Sequence, residues 1–459
     1  MSARVTVTTQ AIASPPPGVV VDSGQAFIVG QTQRGPVHTP TRVFGLADFR
    51  ATFGERSGGS ALYDVVTAAF KEGLGSAYIL RAAGPTPVKA TISLDTGKIV
   101  VTAKEYGAFA NGWTAEYVTA SKSIVLVKGS AAETVTYTGT DSATLQTAAS
   151  IDPDVTVTVT NLPSGNVAAT PLAAGTDDYG NAVVATSLGY LGADLGDGAV
   201  VWPGKVSTDT HAALETHCAA TNRLGLLSVA AATSQANAIV AAAAVTSGEH
   251  LALVWPHVTV STNSGDLTIE PTGFALGARG RAHGAEGPQA SPIRDIYGRA
   301  KWVTGVEAET TAAEWASLND AGVSVIRTSS GNLRLYGWKT IDAPDGDTNL
   351  QGAQHRDVIN RVATGCQTIA DAFVGRTIDG KGQALGEFAG QLKGFLAGMS
   401  AAFYAGADDP GFVVDVGPGV NTTASLAGGT VAAAVGVRLA PTAEFVTIEI
   451  TATVADGAI

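Results

Sequence analysis

The chain has 459 residues, 45% of them hydrophobic and only 15% charged, with a net charge of −12. That balance, with no cluster of Lys and Arg, excludes a surface built to neutralise nucleic-acid phosphates. A charged fraction so far below the usual ~25% leaves few groups to solvate the surface, and burial against other copies of the chain is one outlet; an Ala/Gly/Thr compositional bias is the other.

In chain order, Ser2–Ala13 alternates, with Val5 and Val7 on one side and Arg4, Thr6 and Thr8 on the other, the pattern of a strand. Ser14-Pro15-Pro16-Pro17-Gly18 follows, stiff and extended, and holds that strand away from the body. Val19–Gly30 reads as a buried strand, Ser60–Glu72 as a helix closed by Gly73 and Gly75, and Ala77–Arg81 as a strand, which together make an α/β unit. From Gly84-Pro85-Thr86-Pro87 to about Pro171 the composition turns to Thr and Val. Strands are expected there at Lys98–Thr102, Ala115–Thr119, Ser123–Lys128, Thr134–Thr138 and Val155–Thr160, as a β-rich module inserted in the body. The α/β pattern resumes with strands at Gly198–Pro203, Leu224–Ala230 and Leu251–Trp255 and helices at Asp209–Arg223, with Asp209 as a possible cap, and Ser234–Thr246. Lys381–Ala405 carries one apolar stripe from Leu385 to Phe403 and is the clearest helix. A Gly/Pro linker from Asp409 to Gly419 comes next. The chain finishes on Glu444–Ala455, where Val446, Ile448, Ile450, Ala452 and Val454 alternate with Thr and Glu.

Little in this chain points to catalysis. Cys218 and Cys366 are too far apart for a metal motif or a disulfide framework and read as buried thiols of a reducing cytoplasm. Gly277–Gly284 has no Walker lysine and reads as a flexible or interface loop. The histidines form no zinc-type cluster. His283 near Glu286 imitates an acid–base pair, a pairing that is common by chance. Asp177 and Asp178 offer too few ligands for calcium and mark a turn. The opening residues lack the apolar stretch of a signal peptide, and Ala230–Val245 is too interrupted to span a bilayer. The expectation is a soluble structural protein with no catalytic residue, no metal and no cofactor. An α/β enzyme with a β-rich accessory domain is the alternative from another class.

Several stretches resemble the tail-sheath proteins of contractile phage tails. Pro17-Gly18-Val19-Val20-Val21 is similar to the family's PGVY-type opening. Phe27–Gly30, Arg34-Gly35-Pro36, Pro40, Asp48-Phe49 and Phe53-Gly54 follow its "GxxxRGPxxxP…dF…FG" pattern, and Gly75–Arg81 its "GG…AYVVRV". Ala174–Asp177 resembles the "GGTDG" turn, and Pro271–Arg279 resembles "PPSGxxAGxxAR". Leu318–Arg327 is close to "LNxxGINxIR" with Ser324 in place of Asn, and Leu335–Thr340 to "VWGARTL". Around Pro256 the order of aromatics departs from the family's, and Ala290-Ser291-Pro292 lacks its Asn.

The resemblance implies a mixed α/β, multi-domain subunit. Its parts are an N-terminal linking arm (1–18), a sheath body with helices around a sheet (19–84 and 172–340), an inserted β-rich, outward-facing domain (85–171), a C-terminal sheath domain with the long amphipathic helix (341–441) and a C-terminal linking arm (442–459). Such a subunit polymerises into a helical cylinder around a tail tube in the virion tail, or in a tailocin or cellular injection system, and is made in the host cytoplasm. It contracts to drive the tube through the host envelope. Implied partners are further copies, the tail tube protein, and baseplate and tail terminator proteins, with no nucleic acid and no membrane insertion. Val5, Val7, Val446, Ile448, Ile450 and Val454 would be the arm strands added to a sheet in neighbouring subunits. Arg376, Lys381 and Lys393 are candidates for facing the tube; solvated helix-face charges are the plain alternative. Physics gives the arms a reason: an unpaired strand leaves backbone groups unmatched, and a neighbour's sheet edge satisfies them. A head-to-tail contact of this kind does not close and generates a filament.

Overall fold

The computed structural model describes residues 24–56, 61–129, 133–263, 265–329, 331–342, 350–380 and 382–443. The arm strands expected at Ser2–Ala13 and Glu444–Ala455, and Lys381, lie outside the described residues. The chain divides into a larger unit containing Ser23–Asn360 and a smaller one containing Arg361–Pro441.

The larger unit starts on β1 (Ala26–Gly30), apolar throughout and buried at every position, as a central strand covered on both faces must be. β2 (Thr41–Val43), α1 (Leu46–Phe53), α2 (Ala61–Glu72) and β3 (Ala77–Arg81) follow. β3 lies parallel to β1 with Ala26 opposite Ala77.

The chain then leaves for an all-antiparallel insert. It comprises β4 (Lys89–Leu94), β5 (Ile99–Tyr106), β6 (Thr114–Val118), β7 (Ser123–Lys128), β8 (Glu133–Thr138), α3 (Ser142–Ala149), β9 (Val155–Val159) and β10 (Val167–Pro171). Its sheets run β10-β6-β7-β8 and β4-β5-β9. In β9 the valines are buried and the threonines exposed, the alternation that the sequence carries. The stem of the insert is pinned by Arg81. Its buried guanidinium donates to the carbonyls of Gly35 (2.8 Å) and Tyr106 (2.9 Å), and Gln31 donates to Asp177 at 2.9 Å.

Back in the body come α4 (Val184–Gly189), β11 (Ala199–Val201), α5 (Thr208–Thr221), β12 (Leu224–Leu227), α6 (Gln235–Ala243), β13 (Leu251–Trp255), β14 (Val258–Thr262) and β15 (Gly265–Ile269). α7 (Thr272–Glu286), α8 (Asp295–Gly298), β16 (Gly305–Val306), α9 (Ala312–Asp320), β17 (Val323–Ser329) and β18 (Asn332–Tyr336) complete it, and α10 (Ala353–Phe373) begins there. The main sheet has the order β18-β17-β13-β12-β11-β1-β3-β2, parallel except for its two edge strands. Ala26 and Ile28 enter the core shared with α2 and α7. Phe27 and Val29 enter the opposite core, with Leu214 of α5, Ala238 of α6 and Leu318 of α9. Helices on both faces are what the alternation of elements predicts.

Three expectations are corrected. Gly277–Gly284 is no loop; it is the middle of α7. Its glycines admit α2 at close range: a Cβ on Gly277 would sit 2.2 Å from Glu72 Cβ, and one on Gly273 2.6 Å from the Val65 carbonyl. The helix-propensity cost of about 1 kcal/mol per glycine is offset by that approach. Helix α5 is capped by Ser207, whose hydroxyl accepts from the Thr210 N–H, and Asp209 lies within the first turn. The two units part at Arg361 and not at 341. Ile341 donates to the Leu251 carbonyl at 2.8 Å, and Asp357 of α10 pairs with Arg279 of α7 at 2.8 Å, so both belong to the larger unit.

Asp357 is fully buried and also lies 3.3 Å from His283 Nε2. Burial alone would raise its pKa, yet Arg279 and His283 outweigh burial and hold the carboxyl below its ordinary value. A depressed folded pKa stabilises above the unfolded value of about 3.9 and ceases to as pH falls through the folded one. Asp357→Asn is therefore expected to lower the urea midpoint at pH 7, with the gap to the parent narrowing below about pH 4. A gap that stays constant down to pH 2 would contradict this.

Candidate strand-acceptor site

The smaller unit is built on the end of α10, α11 (Gln383–Gly398), β19 (Phe412–Asp415), α12 (Thr423–Ala427) and β20 (Ala434–Val437). The stripe predicted over Lys381–Ala405 is α11, ending in a short 3₁₀ turn at Ser400–Ala402. It buries Ala384, Phe388, Ala389, Leu392 and Leu396 on one face, as spacings of three to four residues require. Phe388 lies 4.8 Å from the Phe373 ring. Gly365 lets the Phe395 ring rest on α10; a Cβ there would fall 2.1 Å from Phe395 Cζ.

Asp409–Gly419 reads from sequence as a linker, but the structure places β19 inside it. Phe412-Val413-Val414 between Gly411 and Asp415 is the signal. A run so short does not distinguish a strand by itself, and its partner lies beyond α12. β19 and β20 pair antiparallel, Phe412 opposite Val437 and Asp415 opposite Ala434. Buried Asn421 closes the connection between them. Its amide donates to the carbonyls of Val416 (2.9 Å) and Ala432 (2.7 Å) and accepts from the Ala432 N–H (2.8 Å). At the entry to β19, the Gly411 N–H and then Arg438 hold Asp409 below the usual carboxylate range. Phe403 packs edge-on to Phe412 with ring centroids 5.8 Å apart.

The ribbon is under-paired. The Arg438 N–H donates to the Gly411 carbonyl at 2.8 Å, which marks those two as a bonded pair. Bonded and non-bonded pairs alternate in an antiparallel ladder, so the backbones of Phe412, Val414, Val435 and Val437 point away from the partner strand. No described residue hydrogen-bonds to those four backbones. Val414 is buried, while Val413 is 62% exposed. A two-stranded ribbon is marginal in water, and added strands would complete it. The main sheet offers less. Its edge β2 is three residues long, and the other edge, β18, is covered where Ala300 donates to the Leu333 carbonyl at 2.9 Å.

The other predicted residues separate. Arg376 is paired with Glu387, and both are about half exposed. Lys393 is exposed on α11 and makes no ion pair with a described residue. Val5, Val7, Val446, Ile448, Ile450 and Val454 lie outside the described residues. His283 and Glu286 do not act on each other: His283 faces Asp357, and Glu286 binds Arg294. Among the described residues no group of three His, Cys, Asp or Glu side chains could hold a metal ion, and no helix is long and apolar enough to cross a membrane.

No family model and no curated protein matches the sequence. Solved structures do. The sheath of an extracellular contractile injection system (the PVC sheath complex, contracted state) matches with a TM-score of 0.60 and 14% identity over 98% of both chains. The chain has the fold of the contractile sheath proteins. A chain of the contracted baseplate of the anti-feeding prophage shares it at a TM-score of 0.61 and 18% identity, over 98% of both chains. The sheath tail protein from Desulfitobacterium hafniense does so at 0.61 and 15% identity, over 90% of this chain and 93% of its own. The sheath fold therefore accounts for nearly all of the mixed α/β architecture.

Proposed function

We propose that the chain is a structural subunit of a contractile sheath, polymerising into a helical cylinder around an inner tube by adding its terminal strands to the β19–β20 ribbon of neighbouring copies. The observation that carries this is the open ribbon, on a chain whose fold matches sheath proteins from end to end. Strand addition to an unpaired edge satisfies backbone groups at little geometric cost and leaves the linkers free to turn. During contraction, contacts between bodies exchange while arm pairing persists. The matches to an extracellular injection system and to the anti-feeding prophage favour a cellular or tailocin-like sheath as strongly as a phage tail. Purified subunit is expected to form striated tubes or rings in negative stain; a discrete particle at every concentration would reject the reading.

The exposed side of α11 is the best candidate to face the tube. It carries Gly386, Gly390, Gly394 and Gly398 at every fourth position, and a Cβ on any of them would meet nothing within 4 Å. Glycines cost about 1 kcal/mol each in a helix interior, and nothing within the subunit explains them. Close approach of another backbone would. Arg376 is paired with Glu387, which leaves Lys393, of the two candidates among the described residues, without an ion pair. Gly390→Leu is expected to cut decoration of tubes severely and Lys393→Ala to weaken it, read by co-sedimentation with tube; unchanged decoration by Gly390→Leu would remove α11 from the interface.

A further inference from the structure

A mostly apolar cavity of about 260 Å³ opens in the larger unit between the edge strand β18 and the start of α10. Trp315, Tyr336 and Trp338 supply its aromatic wall, and Ser291 and Gln354 lie among its polar residues. An apolar cavity of roughly 150 Å³ already accepts benzene, in an engineered lysozyme, so this one has room for an aromatic ring.

The chain itself reaches the rim. Thr442 and Ala443 line the cavity, and Gln354 Nε2 donates to Thr442 Oγ1 at 3.2 Å. The next residues are Glu444-Phe445-Val446, with the chain running on to Ile459. If that stretch is the strand its alternation predicts, Val446, Ile448, Ile450, Ala452 and Val454 would share one face and Phe445 would fall on the other, with Thr447, Glu449, Thr451 and Thr453. A large aromatic on an otherwise polar face would be left in water unless something covers it.

We propose that Phe445 docks into the Trp315/Tyr336/Trp338 cavity of its own subunit and fixes the root from which the C-terminal arm departs. The ring packs against the aromatic wall, two residues beyond Ala443 at the rim. Everything beyond Phe445 is then free to pair elsewhere. The docking is intramolecular and goes beyond the sheath reading; it stands whether or not the subunit polymerises.

Acrylamide quenching of the full chain tests it, because two of the six tryptophans line the cavity. Phe445→Ala is expected to raise the quenchable fraction by roughly two of those six. Phe445→Leu should restore most of the protection, and the effect of Phe445→Ala should vanish in a Trp315→Phe/Trp338→Phe background whose fold is checked by circular dichroism. Protection equal at sub-micromolar and higher concentrations supports docking within one chain. Protection that appears only at high concentration would mean a second copy's segment and overturn the proposal, as would identical quenching of Phe445→Ala and the parent.

Discussion

Val435→Pro is expected to abolish polymerisation while leaving the subunit folded. Val435 lies on β20 opposite Val414, in a non-bonded pair, so its N–H points to the open side of the ribbon. Proline removes that donor and places a ring where an added strand must lie. The bond lost is one that the subunit does not make with itself, so circular dichroism and the urea midpoint should stay near the parent's. Val435→Ala keeps the N–H and should polymerise. If Val435→Pro builds normal tubes, strands are not added at this edge of β20.

Glu72→Gln carries the largest expected cost to the body. Glu72 ends α2 with its carboxylate fully buried. It accepts the backbone N–H groups of Lys301 (2.9 Å), Trp302 (2.8 Å) and Val303 (2.9 Å), and Arg281 Nη1 at 3.0 Å. One side chain thus ties the end of α2, helix α7 and the strand-free segment after α8 together. Gln keeps the shape but removes the charge that balances Arg281, and its NH₂ group faces donors. Breaking a buried pair from one side costs about 3–5 kcal/mol. A fall in unfolding free energy of about 3 kcal/mol is expected, and a fall below about 1 kcal/mol would show that the three backbone bonds alone hold the site.

How legible was this in the sequence? Elements whose burial pattern is local were readable. Ala77–Arg81 and Ser123–Lys128 are strands over the very residues expected, and α2 follows its apolar stripe, while α11 follows its own only as far as Gly398. What failed depended on distant partners. Gly273 and Gly277 look like helix breakers until α2 is seen against them. β19 is too short to announce itself without β20, which lies on the far side of α12. Glu72 looks like an ordinary helix-end acid, yet its donors come from residues 301–303 and from Arg281. His283 and Glu286 look like a pair because they are near in sequence, but each finds its own partner, at Asp357 and at Arg294. The arm strands were the first sign of assembly in the sequence. The structure adds an under-paired ribbon of the kind such strands need, inside a stretch that read as linker.

Deletion of 446–459 tests the central claim most directly, since it removes the stretch whose alternation predicts the C-terminal strand and keeps Phe445. Electron microscopy of the full chain and the deleted chain at equal concentration should show tubes or rings for the first and folded single subunits for the second. Normal cylinders from the deleted chain would contradict the account.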